Sequence, residues 1–170
     1  MEKTATSIKV LKAELSKIKD NALVIGFFKD KLGLSTELKE LGKEFADLIS
    51  SCIKDSGFKG EKGEFRSIFV NKGIKNIVIA GLGEEQKYAP DILSSVMGDA
   101  SKRLRGNGIE SFSIFSDSFK SSKLSDEEIV EKAALSSLMG LYQFTEFKTK
   151  DKDKIKHVRQ ITIITNSNKN

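Results

Sequence analysis

The chain has 170 residues, of which 38% are hydrophobic and 31% charged, a balance typical of one globular domain rather than a disordered tail. Its net charge of +5 is modest, no apolar run approaches the ~20 residues that span a bilayer, and the N-terminus lacks a signal-peptide core. The single cysteine cannot form an internal disulfide, so a cytoplasmic location is expected.

The first part of the chain is predicted to form two strands and an amphipathic helix. Residues 8–11 are a short strand candidate, and residues 22–28 are a continuous apolar run that suits a strand buried on both faces. Ser35 or Thr36 offers a side-chain oxygen to cap a helix that stops near Gly57. The apolar face of this helix recurs every three or four residues, at Leu38, Leu41, Phe45, Leu48, Ile49, Cys52 and Ile53.

The middle of the chain continues with two strands and a second helix. Residues 65–70 are predicted to be a strand, and residues 76–82 a second strand buried on both faces. Pro90 suits the first turn of the next helix, because that position needs no backbone N–H donor. This helix is predicted to end at Gly106 or Gly108.

The third helix has the clearest beginning. Ser125 and Glu128 have the spacing of a capping box, in which each side chain accepts a hydrogen bond from the other residue's backbone N–H. The helix runs into residues 133–150, AALSSLMGLYQFTEFKTK, which carry three aromatic side chains into a basic exit. Short strands are predicted before and after it, at residues 111–115 and 158–164.

The resulting element order is β-β-α-β-β-α-β-α-β. Buried central strands that alternate with helices predict an α/β fold, a three-layer α/β/α sandwich with a mixed sheet of about six strands. Neither an internal repeat nor a second domain is visible. Residues 1–165 are therefore predicted to form one domain, and residues 166–170 a frayed tail or the start of a linker.

Side chains that could carry catalysis are few. His157 is the only histidine, which excludes His-rich zinc sites. A nucleophilic Cys52 would need His157 as its base, and its apolar helix face favours a buried core residue instead. The acidic cluster Asp126-Glu127-Glu128 is explained by the first turn of a helix, where it meets the positive end of the helix dipole. No GxSxG elbow is present, and we assign no catalytic, metal-binding or cofactor-binding residue.

A glycine turn follows the second buried strand. Gly81 and Gly83 stand where a phosphate loop would begin, but the dinucleotide fingerprint needs another glycine where Gln86 stands. The backbone requirement of a tight turn is the more common reason for such glycines. The pattern is therefore a weak indication of nucleotide binding.

Several segments together resemble the N-terminal domain of the leucyl (cytosol) aminopeptidases, a family of metallopeptidases. They are NIVIAGLGE at residues 76–84, ASKRLRGNGI at residues 100–109 and, above all, AALSSLMGLYQFTEFKTK. The last helix of the family's domain ends in a Tyr-x-Phe-x-x-Tyr/Phe-Lys pattern. The residues that occupy this pattern here are Tyr142, Phe144, Phe147 and Lys148.

The resemblance implies a macro-domain-like fold placed before a separate catalytic domain. In the family, that second domain holds two divalent metals (Mn or Zn), an electrophilic lysine and an Asn-Thr-Asp-x-Glu-Gly-Arg signature, and none of these matches a position here. No site residue is carried over, and a piece of a longer protein is favoured over an orphaned domain. Family members are hexamers that release N-terminal residues, preferably leucine, from peptides. Their N-terminal domains contribute to assembly and limit the access of large substrates.

Two other hypotheses stay open. A free-standing macro-like module would bind ADP-ribose or a related nucleotide at the strand ends near Gly81 and Gly83. The basic stretch that includes Lys150, Lys152 and Lys154 would give the chain a role in nucleic-acid binding. Nucleic-acid binding ranks last of the three hypotheses, because aspartates interrupt the run of lysines. No membrane partner is predicted.

Overall fold

The computed structural model describes residues 5–71, 73–143 and 154–165, which form one six-stranded sheet with helices on both faces. The strands are β1 (Ser7–Lys12), β2 (Ala22–Phe27), β3 (Phe65–Phe69), β4 (Asn76–Gly81), β5 (Ser111–Phe115) and β6 (Gln160–Thr165). They lie in the order β1-β6-β5-β2-β4-β3, and each neighbouring pair is parallel except β3 with β4. The predicted α/β/α sandwich with a mixed sheet is confirmed.

Four α-helices among the described residues complete the two outer layers. They are α1 (Thr36–Lys39), α2 (Lys43–Asp55), α3 (Pro90–Gly106) and α4 (Asp126–Leu141). The apolar faces of α3 and α4 form one core with the sheet, and those of α1 and α2 form a second core on the opposite face. Pro90 occupies the first turn of α3, as predicted.

The central strands β2 and β4 are buried along their whole length. Successive side chains of a strand point to opposite faces, so each strand supplies both cores. Val24 lies in the core under α3 and α4, whereas Leu23 and Ile25 lie in the core under α1 and α2. A continuous apolar run is therefore what this position in the sheet requires.

The helix predicted between Ser35 and Gly57 is in fact two helices. Gly42 separates α1 from α2 with a φ of 107°, which lies outside the helical region. Of the two predicted capping residues, Ser35 caps α1, since its Oγ accepts a hydrogen bond from the Leu38 N–H at 3.3 Å. The apolar spacing survives the break, because Leu38 of α1 and Ile49 of α2 pack in the same core.

The last strand begins at Gln160, two residues later than predicted. Val158 is buried in the core under α3 and α4, which explains its apolar character. The Arg159 N–H donates to the carbonyl of Glu110 at 2.7 Å, immediately before β5 begins. Regular pairing of β6 with β5 starts only after this contact.

The start of α4 is as predicted, whereas its exit lies partly outside the described residues. Ser125 Oγ accepts from the Glu128 N–H at 3.2 Å, and Glu128 Oε2 accepts from the Ser125 N–H at 2.8 Å, which confirms the capping box. Of the three aromatic residues at this exit, Tyr142 is 73% exposed. Phe144 and Phe147 lie outside the described part of the chain.

The connection from β1 to β2 crosses the face of the sheet that α1 and α2 cover, and a buried carboxylate fastens it. Asp20 is 8% exposed, and its Oδ2 accepts from Ser113 Oγ at 2.7 Å. Its Oδ1 accepts from Gln160 Nε2 at 3.1 Å. Asp20 thereby ties the crossover to both β5 and β6.

Candidate functional site

The carboxyl ends of β2 and β5 border a cleft. These strands are neighbours, yet β2 continues towards α1 on one face of the sheet and β5 towards α4 on the other. Where the connections that follow two neighbouring strands leave towards opposite faces of the sheet, a crevice opens between the strand ends. Ligands commonly bind in such a crevice in α/β proteins. The cleft has a volume of about 470 Å³. Its lining includes Gly26, Phe28, Lys31, Ser35, Glu85, Phe115, Asp117, Ser118 and Lys120.

The floor of the cleft is closed by the segment that follows β5. Phe119 is fully buried against Gly26, where a Cβ would lie 2.6 Å from the Phe119 ring. Ser118 Oγ accepts a hydrogen bond from the Gly26 N–H at 2.9 Å and donates to the Phe115 carbonyl at 2.8 Å. The Gly26 N–H of β2 is therefore already bonded to the Ser118 hydroxyl and is not available to a ligand.

Two lysines of the cleft pair with carboxylates of the same chain. Lys31 Nζ lies 2.6 Å from Glu85, and Lys120 Nζ lies 2.9 Å from Asp117 and 3.2 Å from Asp126. Burial lowers the pKa of Lys120, but the hydrogen bonds to Asp117 and Asp126 outweigh it and hold the pKa above its ordinary value. An incoming phosphate would have to compete with these carboxylates for either lysine.

The glycine turn after β4 does not offer a phosphate cradle. Gly81 N–H donates to Glu64 O at 2.7 Å, Leu82 N–H to Phe27 O at 3.0 Å, and Gly83 N–H to Gly60 O at 2.8 Å. A phosphate loop binds through free backbone N–H groups. All three candidate donors are already used within the fold, and a Cβ on Gly81 would collide with the carbonyl of Glu61. Close approach of the loop around residues 60–63 explains Gly81, and a φ of 77° explains Gly83.

Cys52 and His157 are far apart. Cys52 is only half-buried rather than fully buried as predicted, and it packs against the core under α1 and α2. Its helix α2 contacts β3. His157 is exposed and precedes β6, four strand positions away across the sheet, which corresponds to about 19 Å. A thiolate–imidazole pair is therefore not formed.

The acidic cluster is occupied by helix capping and an ion pair. Glu128 belongs to the capping box, and hydrogen bonds from Ser125 hold the pKa of the Glu128 carboxyl below its ordinary value. Asp126 pairs with Lys120. Within residues 5–71, 73–143 and 154–165, no group of three or more His, Cys, Asp or Glu side chains is placed to hold a metal ion. The side chains of this part of the chain therefore do not fit a two-metal site.

The basic stretch lies partly outside the described residues, which include Lys154 but neither Lys150 nor Lys152. The structure thus leaves the nucleic-acid hypothesis untested. None of the helices in the described part of the chain is long and apolar enough to cross a bilayer.

Sequence reasoning missed the cleft and pointed to the neighbouring glycine turn. A usable signal was present after β5, where the polar residues Ser116, Asp117 and Ser118 follow a buried strand directly. Polar side chains at the carboxyl end of an α/β strand are in the position where a ligand crevice opens. The sequence does not show, however, that β5 lies beside β2, because strand order is a property of the folded sheet.

Comparison with protein families identifies the chain. Residues 24–151 match the N-terminal domain of the cytosol aminopeptidase family. A probable cytosol aminopeptidase of Alkaliphilus metalliredigens is 25% identical over 160 residues, which are 93% of this chain and 32% of that protein. The chain thus spans about a third of the length of this relative.

Solved structures agree on the fold. A tomato leucine aminopeptidase mutant superposes with a TM-score of 0.77 at 16% identity, covering 94% of this chain and 32% of that chain. A Trypanosoma brucei macrodomain in complex with ADP-ribose superposes with a TM-score of 0.66 at 14% identity, covering 93% of this chain and 63% of that one. The fold is therefore macro-domain-like, and the chain belongs to the cytosol aminopeptidase family as its N-terminal domain.

Proposed function

We propose that this chain is the non-catalytic N-terminal domain of a leucyl aminopeptidase, an exopeptidase that releases N-terminal amino acids, leucine preferred, from peptides. The match of residues 24–151 to that domain of the family carries the proposal. It is supported by the length of the Alkaliphilus relative, of which this chain covers 32%. The two divalent metals, Mn or Zn, would belong to a catalytic region outside this chain.

Within that enzyme, residues 1–165 would act as one folded domain that supports assembly and limits substrate access. The full-length protein would be a cytoplasmic homohexamer, and the catalytic region of the same polypeptide would be the domain's first partner. No residue of this chain would touch the reacting peptide bond.

The coding sequence that follows the codon for Asn170 tests the proposal. A continuous reading frame that soon encodes the Asn-Thr-Asp-x-Glu-Gly-Arg signature is expected. A natural stop codon directly after Asn170 would remove the downstream peptidase. Where the long form exists, deletion of residues 1–165 should break the hexamer while leaving metal binding by the catalytic region intact.

A second candidate function is binding of ADP-ribose or a related nucleotide. It is favoured by the cleft at the carboxyl ends of β2 and β5 and by the fold likeness to the Trypanosoma macrodomain. The occupied N–H groups of Gly81 and Gly83 count against it. Calorimetric titration with ADP-ribose decides the matter. Binding heat with the natural chain that is lost in Ser118→Leu would support binding in the cleft. The absence of binding heat at high ADP-ribose concentration would dismiss the function.

A further inference from the structure

The two edge strands of the sheet are held in different ways. Strand β3, at one edge, is fixed by side chains on both of its faces. The guanidinium carbon of Arg103 lies 4.4 Å from the ring centroid of Phe65, and Ile68 packs against the core under α1 and α2. Strand β1, at the other edge, has one half-buried residue, Ile8, and its other five residues are exposed. Burial of side chains therefore holds β1 much less than β3.

Backbone hydrogen bonds to β6 are the main attachment of β1. The Ser7 N–H donates to the carbonyl of Arg159 at 2.9 Å. Alternate residues of a strand bond to the same neighbour, so the N–H groups of Lys9 and Leu11 face β6 as well. Such bonds contribute little net free energy where water can replace the partner, as it can along an exposed strand.

The chain has a firm anchor directly after β1. The Ala13 N–H makes the last bond to β6, donating to the carbonyl of Thr165 at 3.2 Å. Glu14 is exposed, whereas Leu15 is buried in the core under α1 and α2. Farther along, Asp20 ties the same connection to β5 and β6. Rotation about residues 13 and 14 would therefore release β1 and leave the crossover in place.

Strand β6 is hydrogen-bonded on both sides, by alternate residues. Its even-numbered residues direct their N–H groups to the β5 side, since the Gln160 N–H donates to the carbonyl of Glu110 at 3.3 Å. Its odd-numbered residues direct theirs to β1. Release of β1 would therefore free the N–H groups of Ile161 and Ile163 and leave those on the β5 side bonded.

We propose that β1 is a latch that opens from β6 while the rest of the domain stays folded. A region with few buried apolar contacts and with exposed backbone bonds opens at a lower free energy than the whole protein. The closed latch completes the sheet, and the open latch leaves one edge of β6 unpaired. An unpaired strand edge is a template for pairing with another strand, so the latch controls whether this edge is available. The proposal does not depend on the function proposed above.

Amide hydrogen exchange of the isotope-labelled 170-residue chain, followed residue by residue by NMR, tests the latch. Each rate is divided by the intrinsic rate for its local sequence, which gives a protection factor. The N–H groups of Lys9 and Leu11 should exchange at least about 100-fold faster than those of the buried strand β2.

The sharper part of the test is an alternation along β6. The N–H groups of Ile161 and Ile163 should exchange as fast as those of β1. Those of Thr162 and Ile164 should stay as protected as β2, because they remain bonded to β5. Opening of the whole domain would expose all four groups together and produce no alternation.

Two matched variants connect the alternation to the side chains of β1. Ile8→Ala removes the half-buried side chain that packs against the core and should raise the exchange of Lys9 and Leu11 about 10-fold. Val10→Ala shortens another β-branched residue of the same strand, which is 53% exposed, and should change these rates by less than about threefold. Rates in β2 should be unchanged in both variants. If Ile8→Ala also speeds exchange in β2, the milder Ile8→Val should still act on β1 alone.

Protection of Lys9 and Leu11 equal to that of β2 would overturn the proposal. Equal protection of all four β6 positions would overturn it too, even if β1 itself exchanged quickly, because a released β1 must free one side of β6. Equal effects of the Ile8 and Val10 variants would also contradict it.

Discussion

Gly98 and Gly140 bring the backbones of α3 and α4 into direct contact. A Cβ on Gly140 would lie 2.5 Å from the Gly98 carbonyl oxygen and 2.7 Å from its Cα. Backbone atoms cannot rotate aside as a flexible side chain can, so a larger residue at position 140 must push the helices apart. This crossing therefore sets how closely α3 and α4 can pack.

Gly140→Ala should lower the free energy of unfolding by about 1–3 kcal/mol, the usual cost of forcing extra volume into a packed contact. Urea denaturation followed by far-ultraviolet circular dichroism measures the change. Gly106→Ala is the matched control, because Gly106 ends α3 with no atom within 4 Å of its added Cβ. That control should be neutral or stabilising by up to about 1 kcal/mol. Equal losses in the two variants would contradict the close crossing.

The buried carboxylate of Asp20 gives a second prediction. Ser113→Ala removes the 2.7 Å hydrogen bond to Asp20 Oδ2 and should cost about 2 kcal/mol, since hydrogen bonds to charged groups are the stronger ones. Chemical denaturation of the variant measures this. The control is Ser67→Ala in strand β3, where the side chain is exposed and a change within about 0.5 kcal/mol is expected. A Ser113 variant as stable as that control would show that Asp20 is not an important anchor.

The capping box gives the stability of α4 a defined pH dependence. Hydrogen bonds from Ser125 lower the pKa of Glu128 from its ordinary value of 4.5. A carboxyl with a lowered folded-state pKa stabilises the fold above its unfolded pKa and loses that contribution as the pH falls through the folded value. Glu128→Gln should therefore be less stable than the natural chain at neutral pH, and the difference should shrink below about pH 4.5.

Denaturation midpoints of both proteins from neutral to acidic pH check this prediction. The control is Glu127→Gln, which removes the same charge from the first turn of α4 without touching the capping box. The stability difference between Glu128→Gln and the natural chain should change with pH. A difference that is constant with pH, or an equal difference for Glu127→Gln, would contradict the role of Glu128 in the capping box.

Features with local causes could be predicted from the sequence. The buried strands β2 and β4 follow from their apolar runs, and the start of α4 follows from Ser125 and Glu128. The break at Gly42 was missed, because the apolar positions on either side keep a regular helical spacing through it. In the fold, residues 40–42 separate the two helices, and the φ of 107° at Gly42 lies outside the helical region.

Features that depend on strand order could not be predicted. The cleft exists because β5 lies beside β2, although 83 residues separate the end of β2 from the start of β5. The N–H groups at Gly81 and Gly83 appear available in the sequence, yet Glu64 and Gly60 occupy them in the fold. The anchoring role of Asp20 likewise needs β5 and β6 to be neighbours. Hydrogen-bond partners of this kind become visible only in three dimensions.

The measurement that tests the central claim most directly is hydrolysis of leucine p-nitroanilide by the purified 170-residue chain with added Mn²⁺ or Zn²⁺. Absorbance of the released nitroaniline reports turnover, and a full-length cytosol aminopeptidase serves as the positive control. We predict release no faster than with the metal ion alone, because this chain is proposed to hold no catalytic residue. Metal-dependent turnover of roughly 1 s⁻¹ or more that stays with the pure chain would contradict the account.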